Sequence, residues 1–234
     1  RGLRRHGVDA LAPGNPMMDG MVAQALPREL LKRRRLLLLG GSRMPEALGN
    51  LRRLLEALER LSEAEPLLVL APCGSRPAPL EWEPLLVGLG YSLVQVPASL
   101  EAAAAWQRGA VLLVVGPGRF AAWAGLAEVG LAAAGTATEQ LVGLGVPALS
   151  LPGPGPQFKL GFAERQSRLL GGSVAVCRTP DQLAQRLAVL LQEPVLRSAL
   201  GHIGRRRMGP PGGGEALARL IEQRLLLTAA GQAG

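Results

Sequence analysis

Three short segments of this sequence place glycine beside hydroxyl, amide or guanidinium side chains directly after an apolar run. That combination suits anion binding, because a glycine turn lets backbone N–H groups approach a charged oxygen and a following helix adds its positive dipole end. The first segment is Leu36-Leu37-Leu38-Leu39-Gly40-Gly41-Ser42-Arg43, where Gly41 and Ser42 can close on a phosphate and Arg43 can pair with its charge. It lacks the lysine and the glycine spacing of a P-loop or a dinucleotide fingerprint. The second is Ala134-Gly135-Thr136-Ala137-Thr138-Glu139-Gln140, in which Gly135 and Thr136 open a helix toward an anion, Thr138 adds a hydroxyl, and Glu139 can accept bonds from a ribose diol. The third is Pro152-Gly153-Pro154-Gly155-Pro156-Gln157-Phe158, a stiffened loop from which Gln157 can present an amide to a sugar or phosphate. Each segment also has a plainer reading. Gly74-Ser75-Arg76 repeats the first tripeptide, so that one can be an ordinary strand–helix turn; Thr136 with Glu139 has the spacing of a capping box; and the proline loop can be a rigid turn.

These segments need a scaffold. Apolar runs of strand length recur at Leu36–Leu39, Leu67–Leu70, Ser92–Val96, Val111–Val115, Val129–Ala133, Ala148–Leu151 and Val174–Val176. Helical patterns separate them at Pro45–Leu61, Leu80–Leu89, Leu100–Trp106, Thr136–Leu144 and Phe158–Leu170. Strands alternating with helices imply right-handed βαβ units, and continuous apolar runs imply strands covered on both faces. The expected fold class is therefore α/β, a doubly wound parallel sheet, with ligands at the carboxyl ends of the strands. In the Pro45–Leu61 pattern, Leu48, Leu51, Leu54, Leu55, Leu58 and Leu61 fall three or four apart, with charges between them. After Cys177 only helices are expected: Asp181–Gln192, Pro194–Met208 and, beyond the Gly209–Gly214 breaker, Glu215–Leu227.

Composition narrows the partners. Aromatics are only 3% of the 234 residues, so the core is expected to be Leu, Val and Ala rather than large rings. The net charge of +8 suits a phosphorylated ligand, an anionic membrane surface or nucleic acid. The basic runs Lys32–Arg35 and Arg205–Arg207 carry no interleaved aromatics for base stacking, which argues against nucleic acid. Each run reads as a solvated face or as a peripheral membrane contact. Cys73 and Cys177 lack metal-ligand spacing and read as buried free thiols, and no apolar stretch reaches the ~18 residues of a membrane span. Without a signal peptide, a cytoplasmic protein is expected.

The order Gly14-Asn15-Pro16-Met17-Met18-Asp19, then Leu39-Gly40-Gly41-Ser42-Arg43, then Ala134 to Gln140, then Gly153-Pro154-Gly155-Pro156-Gln157-Phe158, resembles the lipid-A-disaccharide-synthase-related glycosyltransferases. Arg205-Arg206-Arg207-Met208-Gly209-Pro210-Pro211-Gly212 extends the likeness, which is closest to an uncharacterised branch and runs from Gly14 to Arg224. The resemblance implies the Rossmann-like C-terminal half of a GT-B enzyme. Residues 1–27 would be a linker remnant, 28–209 the nucleotide-sugar-binding domain and 210–234 a C-terminal crossing helix and tail. It implies a UDP-sugar donor, a lipid-linked acceptor and a missing N-terminal domain, so that the chain reads as a fragment. By position, Ser42 and Arg43 resemble phosphate-side contacts, Thr136 and Thr138 would approach the diphosphate and Glu139 the ribose, while Gly41, Gly135, Gln140, Gln157 and Phe158 complete the implied donor-binding set. Gly116–Phe120, with Phe120, resembles the region that meets the uracil. Gly40 stands where the family usually has proline.

Transfer by such an enzyme needs leaving-group stabilisation and a base. The helix start near Thr136, with Arg43, supplies the first, so neither metal nor cofactor is expected, and no Asp-x-Asp motif occurs. The base is expected in the missing domain, since His6 and His202 sit at no predicted strand end. Two other readings stay open: a UDP-sugar 2-epimerase of the same architecture, and a non-catalytic nucleotide-sugar-binding module.

Overall fold

The four leucines before Gly40 form the middle of an open sheet, and the rest of the chain is arranged around them. The computed structural model describes residues 2–21, 25–61, 65–156 and 158–226. Arg1, Gln157 and Leu227, which enter the sequence reading, lie outside the described residues. In chain order the first elements are α1 (Gly2–Arg5), β1 (Arg34–Leu39), α2 (Glu46–Leu58), β2 (Leu67–Cys73), α3 (Pro79–Gly88), β3 (Ser92–Val94), β4 (Ala104–Arg108) and β5 (Val111–Pro117). There follow α4 (Phe120–Trp123), β6 (Val129–Ala132), α5 (Thr136–Gly143), β7 (Ala148–Ser150), α6 (Leu160–Leu169), β8 (Val174–Val176), α7 (Pro180–Gln192), α8 (Pro194–Met208) and α9 (Gly213–Ile221). The chain divides into two units, one of residues 21–208 and one of 1–20 with 209–234.

In the larger unit the described strands form one sheet of order β3-β4-β5-β2-β1-β6-β7-β8. From β5 to β8 every neighbouring pair is parallel, with Leu36 opposite both Val69 and Val129. Side chains alternate between the faces. Leu36 and Leu38 join one core cluster with Leu51, Leu54 and Leu55 of α2, while Leu37 and Leu39 join another with Leu141 and Val142 of α5. Both faces are thus covered, as a doubly wound sheet requires. The few large rings are not excluded from the core, contrary to expectation: Trp82, Trp106 and Trp123 are all buried.

The sheet departs from a wholly parallel one at β4, where the sequence predicts a helix over Leu100–Trp106. That stretch is alanine-rich, and local propensity favours a helix. The chain instead makes a 3-10 turn at Ala98–Leu100, enters the left-handed region at Glu101 (φ 49°) and runs antiparallel to both β3 and β5. Arg108 pairs with Val111, so Gly109 and Ala110 form a two-residue hairpin loop, with Gly109 at φ 53°. Pairing with β5 and burial of Ala105 and Trp106 override propensity here.

Three of the four residues of the basic run at the start of β1 are tied into the fold by hydrogen bonds. Arg33 donates to the carbonyls of Leu67 (3.3 Å) and Ala110 (2.8 Å). Arg34 grips both carboxylate oxygens of Glu128 and also donates to the Leu191 carbonyl. Arg35 and Arg197 lie 3.3 Å from the same carboxylate, whose side chain is 11% exposed. Only Lys32 of that run is exposed. The second run differs: Arg205, Arg206 and Arg207 are exposed on the last turn of α8, as is His202. On its buried side, α8 touches α5 through glycines. A Cβ on Gly201 would stand 2.1 Å from the Gly145 carbonyl oxygen, and one on Gly204 2.4 Å from that of Val142, so neither position can carry a side chain without moving the helix.

The smaller unit joins two segments from opposite ends of the sequence. Pro16–Met18 form a 3-10 turn after Asn15, whose side chain accepts from the Met17 N–H (3.1 Å) and whose own N–H donates to the Pro210 carbonyl (3.0 Å). The Asp19 carboxylate accepts from the N–H groups of Gly212 and Gly214, the first turn of α9. Those backbone bonds, Gly214's foremost, hold its pKa below the ordinary 3.8. Residues 1–27 were expected to be a linker without elements of its own. The structure instead gives them α1 and this turn, and it gathers 1–20 with 209–234. Among the described residues no helix is long and apolar enough to cross a membrane.

Candidate functional site

Because α2 follows β1 onto one face of the sheet and α5 follows β6 onto the other, the chain reverses its winding between these neighbouring strands. A crevice opens at the carboxyl ends of strands at such a point. The structure has a cleft there of about 750 Å³. Its walls come from the turn after β1, the first turns of α2 and α5, the ends of β2 and β5, and the loop before α6.

The turn after β1 is shaped by two glycines. A Cβ on Gly40 would lie 2.3 Å from Leu51 Cγ, so the close approach of α2 to the strand end excludes a side chain. The proline usual in the resembling family would need α2 set farther out. Gly41 adopts φ 89°, which L residues rarely adopt, and carries the chain past the Ala133 carbonyl. Gly41, Ser42 and Arg43 all line the cleft.

Across the switch point, Gly135 is the cap residue of α5 and has no side chain to cap it. The Gly135 carbonyl accepts from the N–H groups of Thr138 (3.0 Å) and Glu139 (3.2 Å). The N–H groups of Thr136 and Ala137 have no partner within the helix, as in any first turn, and both residues line the cleft. The capping box suggested by Thr136 and Glu139 is absent, since Thr136 is the first helical residue rather than the cap.

Of the remaining sequence candidates, Phe120, Gly135, Gln140 and Phe158 line the cleft. Thr138 does not approach it. Its side chain is fully buried and its hydroxyl donates to the Ala134 carbonyl (2.7 Å), so the expected diphosphate contact is corrected: the hydroxyl proton is spent on the turn that leads into α5. Glu139 is half-buried beside the cleft rather than in its wall, and its Oε1 accepts from Gln166 Nε2 (3.3 Å). Gln157 lies outside the described residues.

The sequence reading missed several wall residues. Asn50 is 8% exposed, donates to the Gly40 carbonyl (3.2 Å) and lies against Gly153, tying the first turn to the proline loop. Its signal was a polar residue on the apolar stripe of α2, between Ala47 and Leu54. Glu46 packs on Gly155 and is the carboxylate of the described wall. Phe162 stacks at a tilt on Phe158, ring centroids 5.4 Å apart. Cys73 is half-buried in the wall rather than buried in the core, and burial pushes its thiol pKa up, so it stays protonated near neutrality. Among the described residues no three His, Cys, Asp or Glu side chains converge to hold a metal ion.

No protein-family model and no curated protein matches the sequence. Solved structures do. WaaG, a glycosyltransferase involved in lipopolysaccharide biosynthesis, matches with a TM-score of 0.53 at 20% identity, over 83% of this chain and 48% of that one. The C-terminal CMP-Kdo binding domain of WaaA from Acinetobacter baumannii matches with 0.52 at 14% identity, over 77% and 91%. A UDP-N-acetylglucosamine 2-epimerase matches with 0.52 at 17% identity, over 97% and 55%. The chain has the fold of one Rossmann-like domain of the GT-B kind. It spans about half the length of the WaaG and epimerase chains and nearly all of the isolated WaaA domain. At these identities the likeness speaks for architecture, and the chemistry rests on the cleft.

Proposed function

We propose that this chain is the donor-binding part of a metal-independent UDP-sugar glycosyltransferase, of the lipid-A-disaccharide-synthase-related kind, whose acceptor is lipid-linked. The observation that carries the proposal is the start of α5: Thr136 and Ala137, whose backbone N–H groups have no partner within the helix, line the cleft at the switch point together with Ser42 and Arg43. A diphosphate leaving group gains charge as the glycosidic bond breaks, and preorganised donors and a helix dipole are worth most where charge develops. The Thr136 and Ala137 N–H groups hold the diphosphate, Arg43 balances its charge, and Glu139 accepts from the ribose hydroxyls. Phe120 and Gly118 form the base-side wall. The base that deprotonates the acceptor belongs to another domain.

A second reading, a UDP-sugar 2-epimerase, is favoured by the length of chain that matches such an enzyme, 97% against 83% for WaaG. The proline loop at Gly153–Phe158 supports the transferase, because it carries the more specific part of the sequence resemblance.

Glu139→Ala separates ligand binding from folding. Loss of charge-assisted bonds to a ribose should weaken UDP by about 10- to 100-fold. Gln166 Nε2 keeps the Gly135 carbonyl in the variant, and Glu139 closes no capping box, so the fold should lose about 1 kcal/mol or less. Calorimetric titration beside a urea melt measures both. A large loss of stability with UDP affinity unchanged would mean that Glu139 serves the helix alone.

A further inference from the structure

Gln166 of α6 is 2% exposed and does not line the cleft. Its Nε2 donates to the Gly135 carbonyl (3.0 Å) and to Glu139 Oε1 (3.3 Å), while its own Oε1 is buried without a partner. A buried amide with an unpartnered acceptor is an unfavourable core residue, and a leucine would fill the same volume without that penalty. What the amide adds is therefore its donor, which bridges the carbonyl that caps α5 and the carboxylate four residues on.

We infer that Gln166 is a positioning residue of the nucleotide site: it locks the Glu139 carboxylate to the start of α5, so that the ribose-binding group and the diphosphate-binding N–H groups form one rigid unit. The inference rests on the nucleotide-sugar reading above. Taking Oε1 of Glu139 fixes the carboxylate plane and leaves Oε2, which no bond from the described residues reaches, for a hydroxyl of the ligand. Without the amide the carboxylate can rotate, and ordering it on binding lowers its selectivity for the diol.

The test compares UDP with 2′-deoxy-UDP by calorimetry on the whole chain. The unaltered protein should prefer UDP by about tenfold, the worth of one bond to a charged acceptor. Gln166→Leu and Gln166→Met should bring that preference close to unity, and in a Glu139→Ala background Gln166→Leu should change it no further. A role confined to folding would move the unfolding midpoint, or both affinities together, and leave the preference intact; an intact preference in both Gln166 variants that fold overturns the inference. Equal binding of the two nucleotides by the unaltered protein also overturns it while leaving the nucleotide reading standing. Binding of neither would remove both.

Discussion

Glu128→Ala should destabilise the larger unit by about 3 kcal/mol, the lower end of the range for breaking a buried ion pair. The carboxylate holds Arg34, Arg35 and Arg197, and its removal leaves three like charges facing one another at the amino-terminal edge of the sheet. The lower end applies because those guanidiniums, 17–25% exposed, keep some contact with water. Burial alone would raise the Glu128 pKa, but the bond and charge of Arg34 and the charge of Arg35 outweigh it and hold the value below the ordinary 4.5. A carboxylate with a lowered folded pKa contributes stability that is present above the unfolded value and lost as pH falls through the folded one. Urea midpoints should therefore stay level above about pH 5 and fall below it, and Glu128→Gln should show a shallower acid loss. The cleft lies at the opposite ends of the strands, so UDP affinity per folded molecule should not change in either variant. A stability change within experimental error would mean that the cluster is only a surface feature.

The largest effect concerns turnover. The 234-residue chain should bind a UDP-sugar and transfer nothing measurable to an acceptor. Glycosyl transfer needs donor, acceptor and base held in near-attack geometry, and such positioning can account for about 7–11 kcal/mol of the barrier. The described cleft offers donors for a leaving diphosphate, yet its one carboxylate, Glu46, is packed on Gly155, and both Cys73 and the amide Asn50 are poor bases. Incubation with radiolabelled UDP-sugars and a panel of lipid-linked acceptors reads the rate directly. Transfer well above the uncatalysed rate would place a base within this chain and undo the assignment of that role to another domain.

How far the sequence reaches depends on whether the deciding forces are local. Leu36–Leu39 reads as a strand covered on both faces because an unbroken apolar run needs such cover, and that depends only on neighbours in sequence. The glycine turns that line the cleft were legible for the same reason. The stretch Leu100–Trp106 was misread because pairing with β5, set by residues farther along, outweighs the helix propensity of four alanines. The roles of Arg33, Arg34 and Arg35 were hidden because their acceptors are carbonyls and a carboxylate distant in sequence, which no charge pattern reveals. Thr138 was misassigned by treating every hydroxyl near a helix start as a donor to a ligand, although a threonine two residues into a helix can bond back to the preceding turn. Asn50 and Gln166 did leave a trace: each is a polar residue on an otherwise apolar helical stripe, which marks a buried hydrogen bond worth asking about.

The central claim is that the cleft at the switch point takes a nucleoside diphosphate through backbone N–H groups and Arg43 rather than through a metal bridge. Calorimetric titration of UDP into the chain, once in EDTA and once in Mg²⁺, tests it most directly. The account expects saturable one-to-one binding with the same affinity in both, weakened by Arg43→Ala and by Glu139→Ala. No binding in either buffer, or binding that strictly requires Mg²⁺, would contradict it.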